Sequence, residues 1–323
     1  MVTGVGAIIG YGVLRSLRAS HPDVRLIGAD IYSDAVGQAW CDRFVTAPLT
    51  SDPGYREWLQ QQVNEYEVNL LVPGIEQDVD YLCDNREQLR DLGCRIVLNT
   101  PTLIELARDK WAMDRHLLSI HEPTRIESVD HGSFQDVTEQ LGLPFLLKPR
   151  RGYASKGIVR VADEFTFAHH ASGLGHHLLA QQMVGSEERE FTTSIFGDGN
   201  GAVLALSCLQ RKLAADGSTA KAISKNPGEL PGLAEATERL AAHFRPEGPT
   251  NLQFRQVDDG WKLLEINPRI SSSTSIRTAF GYNESAMSIE YYLDDTRPTQ
   301  PQIQPGHAAR YIEDVVTLDR HTV

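Results

Sequence analysis

Side chains that carry hard oxygen donors are concentrated near the C-terminal end of this 323-residue chain. Two segments, residues 251–257 and 261–267, alternate polar and apolar side chains, and an Asp-Asp-Gly sequence at 258–260 joins them. Alternation on both sides of a short loop is typical of a β-hairpin, and Asp-Asp-Gly suits a three-residue loop that ends in a left-handed glycine. The pattern therefore predicts two antiparallel strands with polar residues on one face.

The register of this hairpin decides which polar side chains meet. If Val257 faces Trp261, Gln253 lies directly opposite Glu265, and Asn267 follows on the same face. Directly opposed side chains have Cβ atoms roughly 5 Å apart. The three side chains would then be close enough to share Mg²⁺ or Mn²⁺, since Mg²⁺ usually takes one or two protein oxygens together with water and phosphate. The alternative is the solvated polar face of an ordinary hairpin.

The hairpin and its flanking residues resemble a known family. Gly-Pro-Thr-Asn-Leu-Gln-Phe at 248–254 and Leu-Glu-Ile-Asn-Pro-Arg at 264–269 are similar to the metal-binding hairpin of the ATP-grasp superfamily. The resemblance is to stand-alone ligases that are like the ATP-grasp domain of the carbamoyl-phosphate synthase large chain. It continues through 271–274 and 281–283 and extends back over most of the chain. It implies ATP and Mg²⁺ (or Mn²⁺) as cofactors. The metal ligands that it implies are Gln253, Glu265 and Asn267.

A nucleotide site is predicted upstream of the hairpin. Lys148 ends an apolar run and would project a cation from a rigid strand. Residues 150–157 follow with three cations and two glycines, which makes a basic loop able to fold over phosphates. The Gly-Lys-Ser/Thr order of a P-loop is missing from this segment. The resemblance matches the segment to a glycine-rich lid loop. The nucleotide contacts that it implies are Lys110, Lys148, Ser155, Lys156 and Gly157.

The resemblance places the base and the ribose further along the chain. Gln-Gln-Met-Val-Gly at 181–185 is similar to the strand that holds adenine by backbone hydrogen bonds, where many relatives have a glutamate. A glutamine carbonyl can still accept from the adenine amino group, and methionine makes soft apolar contacts with a ring. The residues expected here are Gln182, Met183 and Val184 at the base and Glu190 at the ribose, with Glu187 and Glu188 as alternatives for the ribose.

Strands and helices alternate over the first 100 residues. The predicted strands are 24–30, 68–73 and 95–99, and the predicted helices are 13–18, 57–65 and 78–92. Such alternation predicts a doubly wound parallel sheet. Two or three apolar residues precede the first glycines, fewer than the roughly five of a usual buried strand. We therefore expect the first strand to begin before Met1.

The pattern of predicted elements changes after residue 100. A helix is expected over 102–118, followed by short strands at 145–148, 157–161, 178–184, 190–196 and 203–209 and by helices at 233–243 and 284–293. The whole pattern predicts an α/β and α+β protein. With the resemblance, it implies the ATP-grasp fold. The parts expected are an N-terminal doubly wound, Rossmann-like pre-ATP-grasp domain (1–100), a linker helix with a small central lid (101–184) and a C-terminal α+β subdomain (185–323).

A glycine-rich segment at 4–12 offers a competing nucleotide site. It follows a strand and opens a helix, and Asp30 ends the next strand, as in dinucleotide-binding folds. The third glycine comes one residue late for the commonest spacing, which favours a substrate-facing loop over an NAD(P) site. Residues 74–78 leave another strand in the same way. Glu76 within them either binds a substrate amine or caps the following helix.

Composition excludes some classes of protein. The formal net charge of −12 disfavours nucleic acid as a main partner. No run approaches the roughly 18 apolar residues of a membrane span, and the four cysteines lack the spacing of a zinc site or a disulfide framework. Histidine pairs at 169–170 and 176–177 have no acid or cysteine to complete a metal site. We expect a cytoplasmic protein without nucleic-acid or membrane partners; a homodimer is an open alternative.

Together these features predict an ATP-dependent carboxylate–amine ligase. The resemblance implies transfer of a phosphoryl group from ATP to a carboxylate, followed by attack of an amine on the acyl phosphate. Arg269 is expected to stabilise the γ-phosphate and then an oxyanion, and Arg277 to clamp a substrate carboxylate. For Arg211 and Lys212, an ordinary ion pair is the better explanation. The alternatives are an NAD(P)-dependent reductase and a non-catalytic nucleotide-binding subunit.

Overall fold

The computed structural model describes residues 1–152, 156–214 and 217–316, so Ser155 of the predicted lid loop lies outside the described residues. They form two compact units. The first comprises Met1–Leu98, Ser272–Thr296 and the described residues from Ala308 onward, and the second comprises Asn99–Ser271 and Arg297–His307. Residues 272–296, which the sequence analysis placed in the C-terminal subdomain, group with the first unit. The predicted domain boundaries near residues 100 and 184 stay predictions.

The first unit is built on parallel strands, as the alternation predicts. Its N-terminal elements are β1 (Val2–Thr3), α1 (Ile8–Ser20), β2 (Ile27–Asp30), β3 (Arg43–Thr46), α2 (Tyr55–Glu65), β4 (Leu70–Leu71), α3 (Glu76–Asp84) and β5 (Arg95–Ile96). β1, β2 and β3 pair in parallel, as do β4 and β5, and a parallel bridge joins Val2 to Val72. Here α3 is shorter than the predicted helix, and β3 was not predicted.

The glycines between β1 and α1 allow close packing of the backbone. A Cβ atom at Gly10 would lie 2.3 Å from the carbonyl oxygen of Gly4, which itself has a φ of +59°. The N–H of Gly6 donates to Oδ2 of Asp30 at 2.7 Å. A pyrophosphate at this turn would compete for that N–H and would face the Asp30 carboxylate. The geometry therefore disfavours the dinucleotide alternative.

The second unit begins with two helices and a four-stranded sheet. Its elements are α4 (Pro101–Arg108), α5 (Lys110–Ser119), β6 (Ser128–Val129), α6 (Phe134–Leu141), β7 (Phe145–Pro149), β8 (Val159–Val161), α7 (Glu164–His170) and β9 (Leu178–Gln182). The strands are antiparallel in the order β6-β9-β7-β8. The single helix predicted over 102–118 is wrong: Asp109 is extended, with φ −124° and ψ 106°, and divides it in two.

A larger antiparallel sheet completes the second unit. Its elements are β10 (Glu190–Asp198), β11 (Val203–Leu213), β12 (Thr219–Lys225), α8 (Leu233–Phe244), β13 (Glu247–Val257) and β14 (Gly260–Asn267). The neighbouring strands run in the order β14-β13-β10-β11-β12. Leu233 and Leu240 of α8 share one apolar core with Phe254 and Trp261 of the hairpin. This core fixes the hairpin against a helix.

The chain then returns to the first unit. α9 (Thr274–Ala279) and α10 (Glu284–Tyr292) belong there, and α1 packs against both. A short strand, β15 (His307–Ala309), begins at the last residue of the second unit. Within the described ranges, none of the helices is long and apolar enough to cross a membrane.

The turn of the β13–β14 hairpin differs from the prediction. Val257 pairs with Gly260, so the loop has two residues rather than three. Gly260 begins β14 with a φ of +143°, far from the left-handed helical value of about +57°. The predicted pairing of Val257 with Trp261 is therefore wrong, and Trp261 lies opposite Gln256.

A β-bulge corrects the register before the polar residues are reached. Phe254 pairs with Leu263, but the next pair is Gln253 with Glu265, so β14 contains one extra residue. The pairs beyond the bulge keep the predicted register. The predicted pair of Gln253 with Glu265 is thus confirmed, because the shorter turn and the bulge cancel.

The Gly10→Ala substitution is expected to destabilise the protein, although alanine in a helix interior is usually better than glycine by about 1 kcal/mol. The added methyl would collide with the backbone at Gly4, and overpacking of this kind costs about 1–3 kcal/mol. Gly12→Ala on the same helix is the control, because its nearest neighbour is a side-chain methyl, Thr274 Cγ2, at 3.0 Å. Thermal unfolding should give the lower melting temperature for Gly10→Ala; the reverse order would contradict this packing.

Candidate active site

A cavity in the second unit brings several predicted residues together. Its polar lining includes Lys110 at the start of α5, Gln181 of β9 and Glu265 of β14. Most of the remaining lining is apolar. The Nζ atom of Lys110 lies 4.0 Å from Oε1 of Glu265 and donates to the carbonyl oxygen of Gly152 at 2.8 Å. A cation and a carboxylate predicted from separate motifs are thus neighbours.

Lys148 is held near the end of β7 by a glutamine. Its Nζ donates to Oε1 of Gln181 at 2.6 Å, and Nε2 of that glutamine donates to Oγ of Ser128 at 3.0 Å. Burial lowers the pKa of Lys148 to about 8; the Glu265 carboxylate opposes this shift, and neighbouring cations such as Lys110 add to it. The positive charge of Lys148 is therefore costly in the structure without a ligand, and an anion would stabilise it.

The predicted metal ligands offer hard oxygen atoms. Oε1 of Gln253 accepts from Nη2 of Arg211 at 2.5 Å, and Oδ1 of Asn267 accepts from Nη2 of Arg269 at 3.1 Å. With Glu265, the set comprises one carboxylate and two amides. In the part of the chain that the structure describes, no group of three or more His, Cys, Asp or Glu side chains is placed to hold a metal ion. The set fits Mg²⁺ or Mn²⁺ with further ligands from phosphate and water.

Glu190 is engaged by two arginines, and its predicted contact with ribose stays a prediction. Arg211 donates to its Oε1 from Nη2 at 2.8 Å and from Nε at 3.2 Å, and Arg255 donates to its Oε2 at 2.7 Å. The Glu190 side chain is 4% exposed. Both oxygens therefore already accept hydrogen bonds inside the protein. The ion pair expected for Arg211 is confirmed, although it is buried. Glu187 and Glu188, which are exposed, stay predictions for the ribose contact.

Several groups in the segment predicted to bind adenine, residues 181–185, already make hydrogen bonds within the protein. The N–H of Gln182 donates to the carbonyl oxygen of Glu127 at 2.9 Å. In the Gln181 side chain, the amide oxygen and the amide nitrogen both already make hydrogen bonds. The carbonyl oxygen of Val184 accepts from an arginine of β13 at 3.4 Å. Met183 is 40% exposed. The contacts of the Gln182 side chain, Met183 and Val184 with a base stay predictions.

Two predicted substrate residues lie in the first unit. Arg277 of α9 is fully buried, and its Nη1 atom is 3.9 Å from Oε1 of Glu284 in α10. An internal carboxylate thus lies near the Arg277 guanidinium, and the predicted contact of Arg277 with a substrate carboxylate stays a prediction. Glu76 is the first residue of α3, where a helix favours negative charge. Its contact with a substrate amine stays a prediction.

Sequence analysis missed the role of Asp109. Its Oδ1 accepts from the N–H groups of Trp111 and Ala112, which caps α5, and its Oδ2 accepts from Nη2 of Arg150 at 2.8 Å. The N–H of Lys110 also donates to the carbonyl oxygen of Arg150. Asp109 therefore ties Lys110 to the start of the predicted lid loop. An aspartate before a helical stretch is an N-cap signal that could have revealed this break. Lys156 and Gly157, after the gap in the description, are exposed.

Comparisons with known proteins find related sequences. Residues 182–315 match a family model described as ATP-grasp in the biosynthetic pathway with Ter operon. The chain is 26% identical over 196 residues to the carbamoyl phosphate synthase large chain of Micrococcus luteus. That match covers 57% of this chain and 18% of the relative, so the chain spans less than a fifth of its length.

Solved structures share the fold at low sequence identity. The N5-carboxyaminoimidazole synthetase of Staphylococcus aureus, complexed with ADP, superposes with a TM-score of 0.74 at 17% identity, over 95% of this chain and 80% of that one. The biotin carboxylase domain of the Hydrogenobacter thermophilus 2-oxoglutarate carboxylase, complexed with MgADP, gives 0.69 at 17% identity, over 95% and 72%. The fold is the ATP-grasp fold; residues 182–315 match an ATP-grasp family model, and part of the chain resembles the carbamoyl phosphate synthase large chain.

Proposed function

We propose that the chain is an ATP-dependent carboxylate–amine (C–N) ligase that uses Mg²⁺ or Mn²⁺. The observation that carries this proposal is that Nζ of Lys110 lies 4.0 Å from Oε1 of Glu265. Lys148 is close enough to both for their charges to affect its pKa. Gln253 lies opposite Glu265 in the hairpin. A triphosphate needs cations, and its divalent ion needs hard oxygens. Neighbouring elements of one unit supply both.

The candidate residues divide into ligands of the metal and ligands of phosphate. When bound, the ion would neutralise charge on phosphate oxygens during phosphoryl transfer. Lys110 and Lys148 would bind phosphate oxygens. Arg269, which Asn267 already orients, would neutralise charge on the transferring group. The residues that would hold the ion are Gln253, Glu265 and Asn267.

The proposed reaction joins a small-molecule carboxylate to an amine. A carboxylate oxygen attacks the γ-phosphorus of ATP, the bond to the bridging oxygen breaks, and ADP leaves. The amine nitrogen then attacks the carbonyl carbon of the acyl phosphate, loses a proton and expels phosphate, which leaves an amide or peptide-type bond. Side chains are needed mainly to position the groups and to neutralise charge. The ADP complexes of the similar synthetase and carboxylase structures support the use of a nucleotide here.

Two other functions compete with the ligase. In the first unit, the hydrogen bond from Gly6 to Asp30 argues against an NAD(P)-dependent reductase. A non-catalytic nucleotide-binding subunit would have no chemical need for a complete set of phosphate and metal ligands. The chain keeps this set, which comprises Lys110, Lys148, Gln253, Glu265, Asn267 and Arg269.

Nucleotide titration followed by an activity screen tests the proposal. Calorimetry should show binding of a non-hydrolysable ATP analogue with Mg²⁺ and no binding of NADPH. Phosphate release from ATP should then rise above the ATP-only background when pooled small carboxylates and amines are both added. Binding of NADPH in place of the ATP analogue would overturn the ligase. Nucleotide binding with no phosphate release from any pool would favour the non-catalytic subunit.

Glu265→Ala should reduce ligase turnover by about 100-fold or more, because it removes the one carboxylate among the metal ligands. Its melting temperature should stay close to that of the wild type, since the side chain is half-buried at the cavity. Glu238→Ala, which removes an exposed carboxylate on α8, is the matched control and should keep full turnover. Steady-state phosphate release measures both variants, and normal turnover by Glu265→Ala would refute the metal assignment.

The affinity for MgATP should depend on pH through Lys148. Because its pKa is lowered to about 8, Lys148 is charged below pH 8 and loses its charge as the pH rises further. The dissociation constant of a non-hydrolysable MgATP analogue should therefore rise up to about tenfold per pH unit between roughly pH 8 and 9.5. Lys148→Arg should give a flatter profile, because a guanidinium stays protonated. Equal slopes in the two proteins would assign the titration to another group.

A further inference from the structure

A buried arginine connects the Glu190 ion pair to a candidate metal ligand. Arg211 of β11 donates from Nε and Nη2 to Oε1 of Glu190, and the same Nη2 atom lies 2.5 Å from Oε1 of Gln253. The side chains of Arg211 and Glu190 are 5% and 4% exposed. Because β10 lies between β11 and β13, the guanidinium reaches across one strand. The contact between Arg211 and Gln253 therefore lies within a buried ion-pair network on one face of the sheet.

The contact fixes the orientation of the Gln253 amide. A guanidinium has only N–H donors, so the amide must turn its oxygen, and not its NH₂ group, toward Arg211. A carbonyl oxygen has two lone pairs, and the second remains for another partner. Gln253 is also the residue directly opposite Glu265. An amide that was free to rotate would present its NH₂ group to a cation part of the time.

Glu190 keeps the arginine in place and balances its charge. Two guanidinium groups, from Arg211 and Arg255, bind opposite oxygens of this carboxylate. Without Glu190, two positive charges would lie beside Gln253 in a poorly hydrated region and would repel a divalent ion. Glu190 therefore has a structural function inside the protein, which accounts for its burial.

We propose that Arg211 is a positioning residue that presents the amide oxygen of Gln253 to the divalent ion of the nucleotide, and that Glu190 serves to hold Arg211. This inference rests on the proposed function. Partners that orient metal ligands in this way typically contribute about 10- to 100-fold to metal affinity. The role belongs to the hydrogen bond with Gln253 and not to the ion pair alone.

Arg255 provides a matched control for the ion pair. It binds the other oxygen of Glu190 and also donates to the carbonyl oxygen of Val184. Arg255→Met therefore breaks the same ion-pair network and leaves the hydrogen bond between Arg211 and Gln253. Arg211→Met breaks both. A difference between the two variants isolates the contribution of the Gln253 contact.

Calorimetry of a non-hydrolysable ATP analogue with Mn²⁺, and again with EDTA, tests the role without turnover. The ratio of the two affinities is the gain due to the metal. Arg211→Met is expected to lower this ratio about tenfold or more, whereas Arg255→Met should stay within about threefold of the wild type. Equal losses in the two variants, or no loss in Arg211→Met, would overturn the inference. Failure of the wild type to bind the analogue at all would overturn the proposed function together with it.

A double-mutant cycle with Gln253→Met separates positioning from folding. If Arg211 acts through Gln253, adding Arg211→Met to Gln253→Met should cause no further loss of the metal-dependent gain. A further tenfold loss would show that Arg211 acts by another route. If Arg211→Met does not fold by its thermal melt, Arg211→Lys replaces it in both experiments. Lysine keeps the charge for Glu190 without the planar fork and is expected to lose most of the gain; full retention would overturn the inference.

Discussion

The candidate site depends on one extra residue in β14. Side chains alternate along a strand, so a shift of one residue moves a polar group to the opposite face. Trp261, Leu263 and Ile266 all belong to one apolar core, with spacings of two and then three residues, and the bulge accommodates this change. Beyond the bulge, Glu265 lies opposite Gln253 while the core face stays apolar. Packing of the core and placement of the candidate metal ligands therefore depend on the same bulge.

Around this hairpin, positive charge exceeds negative charge, in a chain whose net charge is −12. The cations are Lys110, Lys148, Arg211, Arg255 and Arg269, and the carboxylates beside them are Glu190 and Glu265. Burial is the main cause of the lowered pKa of Lys148, so its positive charge is already costly without a ligand. Such a region attracts a multiply charged anion and disfavours a free divalent ion. A metal bound to a polyphosphate satisfies both conditions.

The sequence predicted the parts of the site that depend on local pattern. Alternation located the hairpin, and an apolar run located Lys148, because both signals lie within a few residues. The partners of Glu190 and Arg277 could not be predicted, since Arg211 reaches Glu190 across neighbouring strands and Glu284 reaches Arg277 from the next helix. The bulge could not be predicted either. The predicted turn was one residue too long, and the extra residue of β14 was not predicted. These two errors cancelled, so the predicted pair of Gln253 with Glu265 was correct.

The break between α4 and α5 has an electrostatic consequence for Lys110. A helix carries a partial positive charge at its start, so a lysine in the first position is disfavoured there. Asp109 offsets this with a negative charge, but Arg150 neutralises that charge at 2.8 Å. The start of α5 thus keeps Asp109 as its cap, and Lys110 has only the Glu265 carboxylate, at 4.0 Å, as an ion-pair partner among the described residues. A negatively charged molecule bound at this helix end would add the charge that the dipole and the lysine both favour.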